Sequence, residues 1–209
     1  MVDFLVSGPA GAAPTLLFAH GAGAPMDSAW MAAFATALAG AGVRVARFEF
    51  GYMAARRTGT RRPPPRAERL VEEYRAAVAA LPAAGPLVIG GKSMGGRVAS
   101  LAAEALFAAG TVAGLVCAGY PFHPPGRPEQ LRTAHLGALT LPTLICQGTR
   151  DVFGSRDEVD GYGLGPPIRL AWLDDGDHDL RPRKTISGRS VAQDLDAAAT
   201  EIAAFVAML

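Results

Sequence analysis

Short apolar runs alternate along this chain with segments whose apolar residues follow a helical period. The run at residues 15–19 (Thr-Leu-Leu-Phe-Ala) lies between Pro14 and His20 and contains no charged residue. Unbroken runs of this kind are typical of strands that are buried on both faces of a parallel sheet. The pattern predicts strands over residues 15–19, 43–50, 87–90, 112–118, 143–147 and 168–173.

The intervening segments carry apolar residues three or four positions apart, the spacing that gives a helix one buried face. Asp27 or Ser28 can cap the first helix, which residues 40–42 end, and Ser190 can cap the last one. Two further helices are predicted over residues 66–81 and 96–109. The residues predicted to face inward are Trp30, Phe34, Leu38, Leu70, Tyr74, Ala77, Leu81, Leu195, Ile202 and Phe205.

Strands that alternate with helices predict an α/β fold, with a mostly parallel sheet and helices on both faces. A length of 209 residues suits one such domain, and we interpret residues 1–209 as a single domain. In sheets of this type ligands bind beyond the carboxyl ends of the strands. Residues that follow the predicted strands are therefore the first candidates for a functional site.

The sharpest motif is Gly91-Lys92-Ser93-Met94-Gly95, which lies between the strand at 87–90 and the helix at 96–109. A G-x-S-x-G turn of this kind strains the serine backbone, and its two glycines remove collisions that larger residues would make. The serine hydroxyl is then held at the end of a strand, where it can attack a carbonyl carbon. An ordinary helix-capping serine is the alternative interpretation, because a chain with 25 glycines also produces such matches by chance.

Candidate partners for Ser93 follow two later strands. Asp151 comes after the strand at 143–147, and His178 comes after the strand at 168–173. The order Ser, Asp, His is that of the α/β-hydrolases, in which the histidine takes the serine proton and the acid fixes the imidazole tautomer. Asp151 is favoured because it comes first after its strand. Other carboxylates in the same two loops remain open as the acid: Asp157, Asp160, Asp174, Asp175, Asp177 and Asp179.

Three other histidines compete with His178 for the role of the base. His20 and His123 also follow predicted strands and are candidates for the wall of the site. His135 lies in a helix-like stretch and is expected at the surface.

The tetrahedral intermediate of acyl transfer needs backbone donors for its oxyanion. The N–H of Met94, the residue after the nucleophile, is one predicted donor. The other is expected from the loop His20-Gly21-Ala22-Gly23, where we prefer the N–H of Ala22 to that of Gly23. A plain glycine turn is the alternative interpretation of this loop.

Composition mainly excludes other classes of function. The net charge of +1 gives no overall attraction to nucleic acid. Cys117 and Cys146 lie in apolar runs and are expected as buried reduced thiols, with no metal or cofactor. The N-terminus lacks the pattern of a signal peptide, and glycines break the uncharged stretch at residues 105–122. We therefore expect a cytoplasmic protein that does not contact the membrane.

Four motifs stand out in combination: residues 20–26 (HGAGAPM), 47–50 (RFEF), 91–97 (GKSMGGR) and 120–125 (YPFHPP). Together they resemble a group of small α/β-hydrolases that are similar in fold to dienelactone hydrolases, over residues 14–180. The group includes the hydrolase-like domain of a subunit of a eukaryotic histone-acetyltransferase complex. The resemblance implies an α/β-hydrolase fold with Ser93, Asp151 and His178 as the triad. Dienelactone hydrolases use a cysteine where this chain has Ser93, so their substrate is not implied.

Several polar residues near the predicted strand ends are candidates for the substrate pocket: His20, Glu49, Tyr52, Lys92, Arg97 and His123. A Glu49–Arg97 ion pair could brace the turn that carries Ser93.

Residues 56–66 contain five arginines, which form either a solvated basic loop or an attractor for an anionic substrate or partner. Only about two dozen residues separate the strands at 112–118 and 143–147, so we expect an open site without a cap domain.

These residues predict a serine hydrolase that cleaves an ester or thioester through an acyl-enzyme intermediate, without a cofactor. Its expected partner is a small acyl substrate. An anionic group on this substrate would be attracted by the arginines at residues 56–66. Two alternatives keep the same fold. One is a non-catalytic interaction module, and the other is an acyltransferase that uses the same triad.

Overall fold

The computed structural model describes residues 2–11, 14–83 and 85–209. Within these ranges seven strands form one sheet in the order β1-β3-β2-β4-β5-β6-β7. Their bounds are β1 Leu5–Ser7, β2 Leu16–Ala19, β3 Val45–Phe48, β4 Leu87–Lys92, β5 Val112–Ala118, β6 Thr143–Gly148 and β7 Ile168–Leu173. Strand β1 pairs antiparallel with β3, and all other neighbouring strands are parallel. The predicted α/β architecture with a mostly parallel sheet is confirmed.

The helices that pack on this sheet mostly follow the predicted segments. The α-helices are α1 Ala29–Gly40, α2 Gly51–Arg57, α3 Val71–Ala80, α4 Met94–Ala108, α5 Arg156–Val159, α6 Lys184–Ser187 and α7 Val191–Val206. A 3₁₀ helix, Ala67–Leu70, precedes α3. Ser190 caps α7 as predicted, because its side chain accepts a hydrogen bond from the N–H of Gln193. Ser28 occupies the N-cap of α1, but its side chain makes no capping hydrogen bond.

Strand β1 and helices α2, α5 and α6 were not predicted from the sequence. Strand β1 is only three residues long, and Leu5 and Val6 on it are exposed, so it carries no apolar pattern. Helix α2 begins at Gly51 without a side-chain cap. Arg56 and Arg57 therefore form the last turn of a helix, and not the start of the predicted loop.

Strands β2, β3, β4 and β6 are buried on both faces of the sheet, which explains their unbroken apolar runs. On β2, Leu17 and Ala19 point into a core beneath α3 and α4. Leu16 and Phe18, which alternate with them, point into a second core beneath α1 and α7. The site described next lies at the carboxyl ends of strands β2, β4, β6 and β7, between these two cores.

The segment between β5 and β6 is short. Residues 119–142 contain one 3₁₀ helix, Leu136–Ala138, and otherwise turns and extended chain. Residues 119–142, all of which the structure describes, therefore form no cap domain over the strand ends, as predicted. No helix in the described ranges is both long and apolar enough to cross a membrane.

Candidate active site

Ser93 stands alone between β4 and α4, in a backbone conformation that non-glycine residues rarely adopt. Its φ is 52° and its ψ is −117°. Gly91 and Gly95 make this turn possible. A Cβ at Gly91 would lie 2.5 Å from the carbonyl carbon of Gly95, and one at Gly95 would lie 2.5 Å from the carbonyl oxygen of His20. The predicted tight turn is thus enforced by backbone packing on both sides of the serine.

Ser93, His178 and Asp151 form a continuous hydrogen-bonded chain. The Oγ of Ser93 lies 2.8 Å from Nε2 of His178, and Nδ1 of His178 lies 2.8 Å from Oδ2 of Asp151. Since a carboxylate only accepts, Nδ1 carries the proton, and Nε2 is left free to accept the serine proton. The three residues that the sequence placed after β4, β6 and β7 therefore meet in the geometry of a Ser–His–Asp triad.

Asp151 is fixed in place by more than its histidine. It is completely buried. Its Oδ2 also accepts a hydrogen bond from Nε2 of Gln147 at 2.8 Å, and its Oδ1 accepts one from the N–H of Phe153 at 2.9 Å. The amide oxygen of Gln147 accepts from the N–H of Tyr120, which sets the orientation of that amide. Gln147 was missed in the sequence, although a polar residue near the end of a buried strand is a signal for it.

The other carboxylates of the two loops are engaged elsewhere or face solvent. Asp175 binds Arg183, and Asp177 accepts hydrogen bonds from the N–H groups of Asp179 and Arg181. Those that face solvent are Asp157, Asp160 and Asp174. Of the candidate acids, Asp151 is the one hydrogen-bonded to His178.

The loop that carries His178 is held by Lys92. The Nζ of this lysine donates to the backbone oxygen of His178 at 2.8 Å and lies 3.3 Å from Oδ1 of Asp179. It also lies 5.5 Å from the ring centre of Trp30. Burial lowers the pKa of Lys92. The ring of Phe153 packs on the imidazole of His178, with 4.2 Å between ring centres. Lysine and phenylalanine together restrict the position of the imidazole.

The loop after β2 presents free backbone donors near Ser93. In the described part of the chain, neither the Ala22 N–H nor the Met94 N–H is hydrogen-bonded to another protein group. Tyr52 holds this loop, since its hydroxyl donates to the Ala22 carbonyl at 2.9 Å. Burial raises the pKa of Tyr52 to about 12, so the hydroxyl stays a neutral donor. This arrangement suits an oxyanion hole built from the two N–H groups.

His20 lies beneath that loop and not on the wall of the site. It is fully buried, and its Nδ1 lies 2.6 Å from the Gly21 carbonyl. Its Nε2 accepts from the N–H of Phe50 at 3.2 Å. Burial lowers the pKa of His20, which agrees with this neutral tautomer. The prediction that His20 faces the substrate is therefore wrong, and its contacts are those of a support for the loop.

Glu49 and Arg97 do not form the predicted ion pair. Glu49 binds the guanidinium of Arg57 through two hydrogen bonds of 2.8 and 2.7 Å, and it accepts from the N–H of Met26. Arg97 instead pairs with Glu68. Glu49 directly follows β3, and its contact with Arg57 shows that its side chain points toward α2.

His123 is also not a pocket residue. It is 2% exposed, its Nδ1 lies 2.8 Å from the Pro124 carbonyl, and its Nε2 lies 3.5 Å from a carboxylate oxygen of Glu158. These contacts join the segment after β5 to α5. His123 does follow strand β5, but its position in the sequence did not show in which direction the imidazole points.

A second serine–histidine contact lies behind the turn. The Oγ of Ser100 is 2.8 Å from Nε2 of His135, and Ser100 is 2% exposed inside α4. Tyr120 completes this buried polar cluster. His135 was expected at the surface, but it is half-buried because Leu136 anchors the adjacent 3₁₀ helix in the core. No carboxylate of the described residues is hydrogen-bonded to His135, so this pair lacks the third member of a triad.

Two open cavities meet at Ser93. One has a volume of about 450 Å³ and is lined by Trp30, Lys92 and His178. The other has a volume of about 570 Å³ and is lined by Met94, Arg97 and Phe153, among others. Ser93 and Ala22 line both. Of the predicted pocket residues, the structure thus brings Lys92 and Arg97 to the site, while Tyr52 acts through Ala22.

Neither thiol is among the residues that line the two cavities. Cys117 and Cys146 are free and buried, and burial raises the pKa of Cys146 to about 12. Within the described ranges, no group of three or more His, Cys, Asp or Glu side chains is placed to hold a metal ion.

The sheet order and the strand–serine–helix turn define a protein of the α/β-hydrolase fold. Residues 12–207 match the family model described as an alpha/beta hydrolase domain. The chain therefore belongs to this family. The narrower resemblance to the small dienelactone-hydrolase-like group stays a prediction.

Solved structures with this fold are distant in sequence. Est1E from Butyrivibrio proteoclasticus, solved with ferulic acid bound, superimposes with a TM-score of 0.70 at 15% identity, covering 99% of this chain and 96% of that one. An α/β serine hydrolase without a lid, XC6422 from Xanthomonas campestris, gives 0.67 at 20% identity, covering 96% and 87%. A serine hydrolase homologue from Coxiella burnetii gives 0.69 at 16% identity, covering 96% and 91%. At these identities the likeness concerns the fold.

Proposed function

We propose that this protein is a serine hydrolase that cleaves an ester or thioester through an acyl-enzyme intermediate. The observation that carries the proposal is the hydrogen-bonded chain from buried Asp151 through His178 to Ser93. A serine hydroxyl is a weak nucleophile at neutral pH, and a base at hydrogen-bond distance is what activates it. The names of structural neighbours, which include an esterase domain and serine hydrolases, are consistent with this reaction class.

The reaction would proceed in two halves. Ser93 Oγ attacks the carbonyl carbon while its proton passes to Nε2 of His178, and Asp151 stabilises the imidazolium. The N–H groups of Ala22 and Met94 would receive the oxyanion. His178 then gives the proton to the leaving alcohol or thiol, which departs and leaves an ester on Ser93. A water molecule, deprotonated by His178, attacks that ester, and collapse of the second intermediate returns the proton to Ser93 and releases the acid.

The shape of the site favours small or extended substrates. Residues 119–142 place no cap over Ser93, and both cavities open to solvent. A substrate can therefore lie across Ser93 with its acyl part on one side and its leaving group on the other. No large apolar enclosure for a long acyl chain is present among the described residues that line the two cavities.

A fluorophosphonate label followed by peptide mass spectrometry tests the proposal. We expect covalent modification of Ser93, with loss of labelling and of 4-nitrophenyl acetate hydrolysis in Ser93→Ala. Ser100→Ala is the matched control, because Ser100 also contacts a histidine but is buried within α4. If Ser93 is still labelled in Ser100→Ala, the reactive pair is Ser93–His178 and not Ser100–His135. An unlabelled, folded wild-type protein would instead favour the non-catalytic interaction module.

The acyltransferase alternative is separated by product analysis. With an added alcohol or amine acceptor, an acyltransferase forms mainly the transfer product, whereas a hydrolase forms mainly the free acid. We expect the free acid to dominate, since the open cavities admit water to the acyl-enzyme.

A further inference from the structure

The two cavities beside Ser93 differ in how their charges are balanced. In the first, Lys92 and Arg181 both lie within ion-pair distance of Asp179. The second is lined by three arginines and one glutamate: Arg66, Arg97, Arg132 and Glu68. We call this second cavity the arginine groove. Its lining has two more positive than negative side chains, immediately next to Ser93.

Arg132 is the cation in the arginine groove that most needs a partner. Its side chain is partly buried, and no carboxylate of the described residues lies within 4 Å of its guanidinium nitrogens. Burial lowers its pKa, and the charge of Arg97 lowers it further. Removing a cation from water without an opposite charge costs free energy, which a bound anion would offset.

Arg97 adds a second donor on the same wall. Its Nη2 binds Glu68, which is half-exposed, while its Nε is buried and has no hydrogen-bond partner in the part of the chain that the structure describes. A buried guanidinium N–H without a protein acceptor is uncommon in folded proteins. Because this Nε is buried, an anion in the arginine groove would reach Arg97, which lines the groove, through its Nη nitrogens.

The floor of the arginine groove is held by hydrogen bonds and adds no negative charge. The N–H of Arg132 donates to the Phe122 carbonyl at 2.7 Å, and the Tyr120 hydroxyl lies 3.4 Å from the Arg132 carbonyl. Burial lowers the pKa of His135 to about 4, so the imidazole beneath the groove is neutral at physiological pH. The backbone of Arg132 is thus held in place, and the field in the groove comes from the arginines.

The structure assigns the arginine groove as a subsite for an anionic group of the substrate, a carboxylate or phosphate, with Arg132 as its main ligand and Arg97 as the second. The assignment rests on the proposed hydrolase function. The substrate class is then an ester or thioester with an anionic group a short distance from the scissile carbonyl. Of the five arginines at residues 56–66, Arg66 lines the groove, whereas the charge of Arg57 is neutralised by Glu49 and Asp27.

Matched substrates test this assignment. On the acyl side, mono-4-nitrophenyl glutarate and 4-nitrophenyl 4-phosphonobutyrate are compared with the neutral 4-nitrophenyl 4-carbamoylbutyrate. On the leaving-group side, the butyrate ester of 4-hydroxybenzoate is compared with that of 4-hydroxybenzamide. We expect kcat/KM for an anionic member of one pair to exceed that of its neutral partner about tenfold or more, since hydrogen bonds to charged groups have that strength.

The variants identify the source of the preference. Arg132→Gln should reduce the anionic-to-neutral ratio of kcat/KM about tenfold, and Arg132→Lys should restore part of it. Arg61→Gln removes the same charge from an exposed position outside the groove, and it should leave the ratio within about twofold of the wild-type value. Circular dichroism spectra of each variant check that the fold is kept.

A binding measurement separates this inference from the proposed function. Mono-4-nitrophenyl glutarate is titrated calorimetrically into Ser93→Ala and into Ser93→Ala with Arg132→Gln. Tighter binding to the first protein supports the subsite even if the wild type hydrolyses no ester, a result that would overturn only the hydrolase proposal. Equal binding to both, with equal kcat/KM for all pairs in an active wild type, would overturn the subsite and leave the hydrolase proposal standing.

Discussion

Replacing Asp151 by asparagine is the sharpest test of how His178 is oriented. Both carboxylate oxygens of Asp151 only accept, from His178 and Gln147 on one side and from the Phe153 N–H on the other. An asparagine must place its NH₂ group at one of these positions. Toward Phe153 it would face a backbone donor, and toward His178 it would face the donating amide of Gln147.

The magnitude follows from these two orientations. With the NH₂ group toward His178, Nδ1 must become the acceptor, so Nε2 carries the proton and cannot take the one on Ser93. With the NH₂ group toward Phe153, the tautomer survives but the negative charge that stabilises the imidazolium is lost. We expect kcat to fall about 10⁴-fold, as for the equivalent change in serine proteases. The opposed donors should also cost about 1–3 kcal/mol of the free energy of unfolding.

Steady-state hydrolysis of 4-nitrophenyl acetate measures the loss, and urea denaturation measures the stability. Asp174→Asn is the matched control, because Asp174 is an exposed carboxylate four residues before His178. It should leave both quantities nearly unchanged. A kcat for Asp151→Asn within about tenfold of the wild type would refute the reasoning, since the hydrogen bond from Nδ1 would then not set the tautomer of the base.

Three further perturbations address the supports of the site. Lys92→Met removes the hydrogen bond to the His178 carbonyl, so kcat should fall about tenfold, whereas Lys184→Met at an exposed position should keep the wild-type rate; equal rates in the two variants would contradict the role of Lys92. Gly95→Ala places a Cβ 2.5 Å from the His20 carbonyl oxygen, and it should lower Tm by at least several degrees or prevent folding, while Gly40→Ala, with nothing within 4 Å, should not lower it. Burial lowers the pKa of His135 from 6.5 to about 4, so between these values the unfolded chain binds a proton that the folded chain does not, and stability falls as the pH falls. Urea denaturation of His135→Gln across this window should show a weaker pH dependence than the wild type, and an unchanged slope would exclude His135 as a source.

The features that the sequence predicted well are those that depend on local pattern. Strand β2 is buried on both faces, and its unbroken apolar run shows this without further information. The turn at Ser93 requires glycine at two fixed positions, so the sequence motif directly predicts the backbone geometry. Asp151 and His178 followed from the rule that functional groups gather at the carboxyl ends of parallel strands.

The features that it predicted poorly depend on which way a side chain points. His20, Glu49 and His123 all follow strands, yet they turn into the protein or toward α2. A displacement of one residue along a strand reverses the direction of a side chain, and strand ends are the least certain boundaries in a sequence. Arg132 was missed for a related reason, since its position beside Ser93 depends on the path of an irregular segment.

At Ser93 the requirements of stability and of the proposed activity are opposed. A φ of 52° with a ψ of −117° is a conformation that glycine adopts readily and serine does not. Serine at this position therefore lowers the free energy of unfolding relative to glycine, and selection for stability alone would favour glycine. The reaction proposed above uses the hydroxyl of Ser93, which glycine lacks. We therefore expect Ser93→Gly to stabilise the protein and at the same time to remove the nucleophile of the proposed reaction.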